Sequence, residues 1–422
     1  MSTNNDAAQL QAQGQPSQSL TAAFVSVCGI FLMVGFSQFM TGIMVSYLQG
    51  LFSLTNFEAQ LISLAFFAAY FLMALPAERL LSAYGYKRGI VVGLVICALG
   101  AALFIPASQL LQYWAFLGSV CVLGIGVATL QVGINPYVAV LGPESSAAAR
   151  VSLANGCTAL GAILAPKIGS ALFLSDELNV KVTAALSPEQ LLEKASIVQV
   201  PFLVVAAIFL VLALVFSAMK LPEMKSSNTA AAEPFSLSNY PWLILGIACI
   251  FIYMGGQIGV INLFFLPYLQ EKAGLTATEA STYLSYFFIL QMLGRFGGSA
   301  LMTRYAAGGL LALSAAGMIG TIAAVQLMPG SAAPYLFALM GVFDALCFGN
   351  IFSLAIKGLG DATKKASSFL FMAVLGGAIL PAAIGKIVDL TSMGVGLWAA
   401  AACYGYVFYY GLVGHKVGQK AV

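Results

Sequence analysis

The segment Gly161-Ala162-Ile163-Leu164-Ala165-Pro166-Lys167-Ile168-Gly169 returns as Gly377-Ala378-Ile379-Leu380-Pro381-Ala382-Ala383-Ile384-Gly385, an offset of 216 residues (377 less 161). Leu141-Gly142 returns as Leu359-Gly360 at an offset of 218 (359 less 141). A period of half the chain is too long for a solenoid and reads as one duplicated domain, both copies running in the same direction. Parallel halves related by an axis along the membrane normal are one way to build a transporter.

The duplicated unit is a set of membrane spans. Apolar runs long enough to cross about 30 Å at about 1.5 Å per residue occupy residues 20–50, 57–82, 88–110, 113–141, 150–174 and 197–219. A second set occupies 240–270, 277–303, 306–328, 333–357, 365–388 and 395–416. The predicted fold is an all-α membrane protein of twelve transmembrane helices in two six-helix bundles. Residues 1–19 carry Gln, Asn, Ser and Ala without Lys or Arg, which predicts a disordered tail rather than a signal peptide. The N-terminal bundle is then 20–219, the polar stretch 220–239 the linker, and 240–422 the C-terminal bundle.

A chain that is 60% hydrophobic and 8% charged cannot cover a water-facing surface, so it belongs in a bilayer. A net charge of +3 without a block of Lys or Arg excludes a nucleic-acid partner. The seven cysteines lie in apolar runs without metal-ligand spacing and read as packing residues. No metal or cofactor site can be assembled: Gly124-Ile125-Gly126 lies within an apolar run, and the one histidine, His415, has no Cys or Asp beside it. An enzyme is therefore not expected. Thirteen of the eighteen cations, among them Arg79, Lys87, Arg150, Arg304 and Lys357, fall on one side of the spans, which predicts cytoplasmic termini and linker. In the external loop 175–196, Ser187-Pro188-Glu189-Gln190 reads as the capped start of a surface helix.

Polar residues inside spans are costly unless paired or facing a cavity. Asp344 lies about 15 Å from one end of the tenth run and about 20 Å from the other, near the midplane. It reads either as a proton-coupling acid or as a carboxyl tied up by neighbouring hydroxyls. Lys167, whose repeat partner is Ala383, would cost about 2.5–3.5 kcal/mol unpaired. It reads as a partner of Asp344 across the halves, as a contact to an anionic substrate, or as a side chain snorkelling outward. The amides Gln38, Gln131, Asn135, Asn155, Gln257, Asn262 and Asn350, with Tyr253, Tyr283 and Tyr286, suit a sugar, which needs hydrogen-bond partners and an apolar ring to stack on. Amides can equally serve as interhelical glue. Glu78 and Arg295, 217 apart (295 less 78), place opposite charges at equivalent cytoplasmic span ends. With Arg150 they are candidates for a gate, static anchoring being the alternative.

Leu54-Thr55-Asn56-Phe57, Tyr84-Gly85-Tyr86-Lys87-Arg88-Gly89, Asn135-Pro136-Tyr137-Val138, Leu141-Gly142-Pro143-Glu144-Ser145-Ser146, Gly294-Arg295-Phe296 and Phe352-Ser353-Leu354-Ala355-Ile356-Lys357 resemble the fucose:galactose:glucose proton symporter family of the major facilitator superfamily. The resemblance runs through almost the whole chain. It implies a sugar site between two bundles at the midplane and alternating access by rocking of the halves. It aligns Gln131 with a Glu or Gln of the fourth helix, and Asn135 and Gln257 with residues near the sugar. The chain departs from the pattern where it matters for coupling. The Asn-Asp pair of the first helix, whose acid is a proton-coupling candidate, is replaced by Thr41-Gly42, and a common Asn of the fifth helix by Thr158. Lys167 and Asp344 stand where uncharged residues are expected. The expectation is a monomeric sugar–proton symporter of the bacterial inner membrane coupled through Asp344. The alternatives are a uniporter, a carrier of an anionic or N-acetylated sugar, and a sugar sensor without transport.

Overall fold

The computed structural model describes residues 17–141, 147–173, 188–219, 237–302, 304–359 and 363–418, and among them there are helices but no strand. The first six spans are Ser17–Phe52, Asn56–Tyr84, Tyr86–Ala102 continued by Phe104–Leu110, Tyr113–Val140, Ala147–Phe173 and Gln199–Ala218. The seventh is Pro241–Gly259, a π-helical turn at Val260–Phe265, and Leu266–Ala273. The eighth and ninth are Ala277–Met302 and Ala307–Leu327. The tenth is broken into Ala333–Asp344 and Cys347–Ile356, the eleventh runs from Thr363–Met372 into Gly376–Leu390, and the twelfth is Met393–Leu412. The surface helix before the sixth span is Pro188–Ser196. The tail at 1–16, the linker at 220–236 and Ser187 lie outside the described residues.

Nine of these stretches among the described residues meet the length and hydropathy of a membrane crossing by themselves. The fifth, eighth and twelfth are not among them; the eighth carries Gln291 and Arg295 and the twelfth several tyrosines, which lower their hydropathy. Each packs against spans that do qualify, and twelve crossings result. Span 1 thus begins, and span 12 ends, on one face, called here the terminal face. The opposite face is the distal one.

The duplication is visible in the packing. Within the first half span 3 packs on spans 4 and 6, span 2 on 4, and span 1 on 5; adding six to each number gives the pairs of the second half. The halves meet through spans 2 and 11 and through spans 5 and 8, again a pair related by six. The repeated segment lies in spans 5 and 11 because both run closely along a partner, 1 and 7. A Cβ at Gly161 would lie 2.1 Å from the Leu32 carbonyl oxygen, and one at Gly376, the residue just before the second copy, would lie 1.8 Å from that of Phe251. Only glycine permits backbones to approach so closely, and in lipid such packing supplies much of the helix association.

Candidate functional site

The break in the tenth span falls directly after Asp344, whose carboxyl is enclosed in the second half with 1% of its surface exposed. Four neutral donors from three other spans surround it. Tyr253 and Tyr404 donate their hydroxyls to Oδ1 at 3.1 and 3.2 Å, and Gln291 donates Nε2 to Oδ2 at 2.6 Å. Gln257 also donates its Nε2 to Oδ2. The two tyrosine rings meet edge to face with centroids 6.2 Å apart. Spacing explains the convergence: Tyr253 and Gln257 are one turn apart on span 7 and share a face. Burial of a carboxyl in a bilayer is tolerated only with such bonds.

The direction of these bonds has a chemical consequence. All four neighbours donate, so both oxygens accept. For Asp344 to hold a proton at either oxygen, an amide must turn its Oε1 inward or a phenol must rotate its hydroxyl away. Gln257, which is only half-buried, is the member of the cage that reaches beyond it. Arg295 lies one turn beyond Gln291 and is itself exposed. Replacing Gln291 by Leu removes a donor from a buried carboxyl. Gln291→Leu is expected to destabilise the protein by about 1.5–3 kcal/mol, seen as a lower melting temperature in detergent.

The other candidate residues separate into groups. Asn262 sits in the π-helical turn, where such irregularities are often functional. It is buried and donates Nδ2 to Ser63 Oγ of span 2 at 2.8 Å, across the halves. Its Oδ1 lies 2.6 Å from where a Cβ on Gly42 would be. The position at which the family resemblance expects an acid is therefore taken up by Asn262. Ser63 in turn donates to Gln60 Oε1 at 3.3 Å, while Gln60 Nε2 is buried without a hydrogen-bond partner among the described residues. Gln131 and Asn135 are half-buried and paired on span 4, Asn135 Nδ2 donating to Gln131 Oε1 at 3.1 Å. Gln38 is half-buried on span 1, and Asn155 is exposed on span 5. Both side-chain atoms of Asn350 are buried without hydrogen-bond partners among the described residues.

One relation expected from the sequence, Lys167 with Asp344, is not formed. Lys167 is not among the groups bonded to Asp344; it is exposed, six residues from the distal end of its helix at Phe173, or about 9 Å. That geometry suits a side chain reaching for the membrane surface, because the helix carries its charge near the end. Gln257 donates one amide N–H to Asp344, leaving its Oε1 and its second N–H for a ligand. Tyr283 and Tyr286 form an aromatic group with Tyr335 at the distal rim, with Tyr283 centroids 5.7 and 5.6 Å from the other two. Arg150 Nε donates to the Val138 carbonyl at 3.2 Å, tying spans 4 and 5. The side chain of Glu78 lies outside the described residues, so its relation to Arg295 does too. Gln291 and Tyr404 were missed from the sequence. Gln291 is an amide in an apolar run like those chosen, but Tyr404 is hidden among the tyrosines of span 12.

The hydrogen bonds and ring contacts between the halves, among the described residues, lie in their distal parts, while span 2 also packs along the terminal half of span 11. Besides Asn262 and Ser63, Phe39 of span 1 meets Phe288 of span 8 with centroids 4.4 Å apart, and Ser285 Oγ donates to the Ile163 carbonyl at 3.1 Å. At the surface Asp389 accepts from the backbone of Asn56 and Phe57. Toward the terminal face the same spans 5 and 8 expose Leu153, Leu160, Leu293 and Phe296.

Residues 27–383 match the family model described as the Major Facilitator Superfamily. The chain is 36% identical over 418 residues to a glucose/galactose transporter of Brucella abortus, covering 98% of each. It is 33% identical over 411 residues to the L-fucose-proton symporter of Escherichia coli, covering 93% of each. Among solved structures, FucP, a transporter crystallised in the outward conformation, is 31% identical with a TM-score of 0.66, covering 96% of this chain and all of that one (100%).

Proposed function

The chain belongs to the Major Facilitator Superfamily, and from that membership we propose that it carries a hexose or hexose derivative into the cell together with protons, by alternating access in the bacterial inner membrane. The relatives named as sugar transporters and as a proton symporter support the substrate class and the coupling. The single observation that carries the coupling residue is Asp344: an acid at the break of a span, held by four neutral donors and linked through half-buried Gln257 to the space beyond.

In this reading the sugar binds among Gln38, Gln131, Asn135, Asn155, Gln257 and Asn262, with Lys167 at the distal rim. Protonation of Asp344 obliges a cage member to turn; if that member is Gln257, its changed amide is presented to the sugar, so each ligand alters the affinity for the other. The bundles are assigned to 20–219 and 240–422, acting as a monomer, with 220–239 as the cytoplasmic linker. The specific hydrogen bonds and ring contacts between the halves, gathered in their distal parts, support a carrier open toward the cytoplasm, with Arg295 and Arg150 on the open side. A facilitator is the second reading, favoured by the enclosure of Asp344 within one half.

Uptake of neutral, N-acetylated and acidic sugars into proteoliposomes, with and without an imposed pH gradient, decides between them. A sugar accumulated only under the gradient is the expected result. Equilibration regardless of the gradient makes the protein a uniporter, and accumulation of acidic sugars alone moves the substrate to an anion.

A further inference from the structure

We propose that Asp389 is the positioning residue that latches the two halves together at the distal face, and so sets the balance between the two access states on which the transport reading rests. Span 11 ends at Leu390 and brings Asp389 to the start of span 2, in the other half. Asp389 Oδ1 accepts from the backbone N–H of Asn56 at 2.9 Å and from Asn56 Nδ2 at 2.8 Å, while Oδ2 accepts from the backbone N–H of Phe57 at 2.9 Å. Asn56 and Phe57 are the first two residues of their helix, whose N–H groups have no acceptor within it. The next two are met by their own chain: Glu58 N–H donates to Thr55 Oγ1 at 3.2 Å and Ala59 N–H to the Thr55 carbonyl at 3.0 Å. The cap of span 2 is thus completed by a carboxylate from the opposite bundle, at the end of the helix that favours an anion.

Three features make this a latch rather than fixed architecture. All three donors belong to one bundle and the acceptor to the other, so separation of the halves at this face breaks them together and leaves both helices whole. The pair is exposed, so water replaces the lost bonds and the latch can open. The helices touch here without side chains between them, since a Cβ on Gly385, one turn before Asp389, would lie 2.9 Å from the Asn56 carbonyl oxygen. The arrangement is also one-sided. Span 8 starts with its own capping pair, Thr276 and Glu279, as span 2 does with Thr55 and Glu58. Yet the position related to Asp389 by the 216-residue offset is Phe173, which has no carboxylate. Among the described residues, the charge-assisted lock is formed at the contact between spans 2 and 11.

The test uses the full chain carrying Ser285→Cys, which puts a thiol between spans 5 and 8 in the closed distal half. Right-side-out and inside-out membrane vesicles are labelled with a membrane-impermeant maleimide, and the chain with only its seven native cysteines gives the background. Adding Asp389→Ala is expected to raise the labelling rate from the distal side about tenfold, a shift of about 1.4 kcal/mol between access states. It is also expected to lower KM for substrate added on that side, because the competent state is more populated. A residue that merely supported the fold would lower kcat and leave KM and labelling alone. Asp389→Asn, equal in size, carries the same test if Asp389→Ala fails to insert, and Asp389→Glu should restore part of the parent behaviour. A labelling rate unchanged from the parent in a variant that melts at the parent temperature overturns the latch. Because labelling needs no sugar, faster labelling in a protein that moves none of the sugars tried leaves the latch standing and removes the sugar reading.

Discussion

Asp344→Asn is expected to abolish gradient-driven accumulation while counterflow of the same sugar continues. Asn preserves size and cannot ionise, and its Nδ2 would face the donating amides of Gln257 and Gln291, so one of them must turn, as it must when Asp344 takes a proton. The substitution therefore holds the cage in its protonated arrangement. One proton per sugar driven by 100 mV supplies about 2.3 kcal/mol, roughly fifty-fold accumulation, and this whole factor should vanish. Proteoliposome uptake at fixed pH with an imposed potential measures it. Undiminished accumulation in Asp344→Asn would assign coupling to another group and leave Asp344 a structural member of the second half.

Gly376→Ala is expected to cost stability at or beyond the roughly 3 kcal/mol upper end for overpacking, and to lower the yield of monodisperse protein sharply. The atom in the way is the Phe251 carbonyl oxygen, 1.8 Å from the new Cβ, and backbone cannot swing aside as a side-chain tip can. Gly161→Ala should behave alike against the Leu32 carbonyl at 2.1 Å. Gly405→Ala on span 12, with nothing within 4 Å of the new Cβ, is the neutral comparison. Fluorescence-detected size-exclusion after heating compares all three. Equal melting of Gly376→Ala and Gly405→Ala would mean that spans 7 and 11 separate freely, against the packing described.

The repeat, the span limits and Asp344 itself were legible in the chain. Span 5, expected at 150–174, is Ala147–Phe173, and span 10, expected at 333–357, runs from Ala333 to Ile356. These are local properties: a window of apolar residues either crosses a bilayer or does not, and a carboxyl within it is conspicuous whatever surrounds it. The amides could be chosen as a set but not assigned. Gln257 and Gln291 differ little in sequence context from Gln38, and only the rotation of their helices aims them at Asp344.

What the sequence determined by itself, then, was a duplicated bundle of twelve membrane helices with one acid at its centre, since hydrophobicity, glycine placement and period are summed along neighbouring residues. The tertiary structure alone decided who meets whom. Gln291 reaches Asp344 across 53 residues and Asn56 reaches Asp389 across 333. It also decided that Lys167 stays apart from Asp344 and that Asn262 takes the space left by Gly42. Helix rotation and tilt are set by the packing of whole surfaces, and a hydrogen bond changes partners when a helix turns by a fraction of its period.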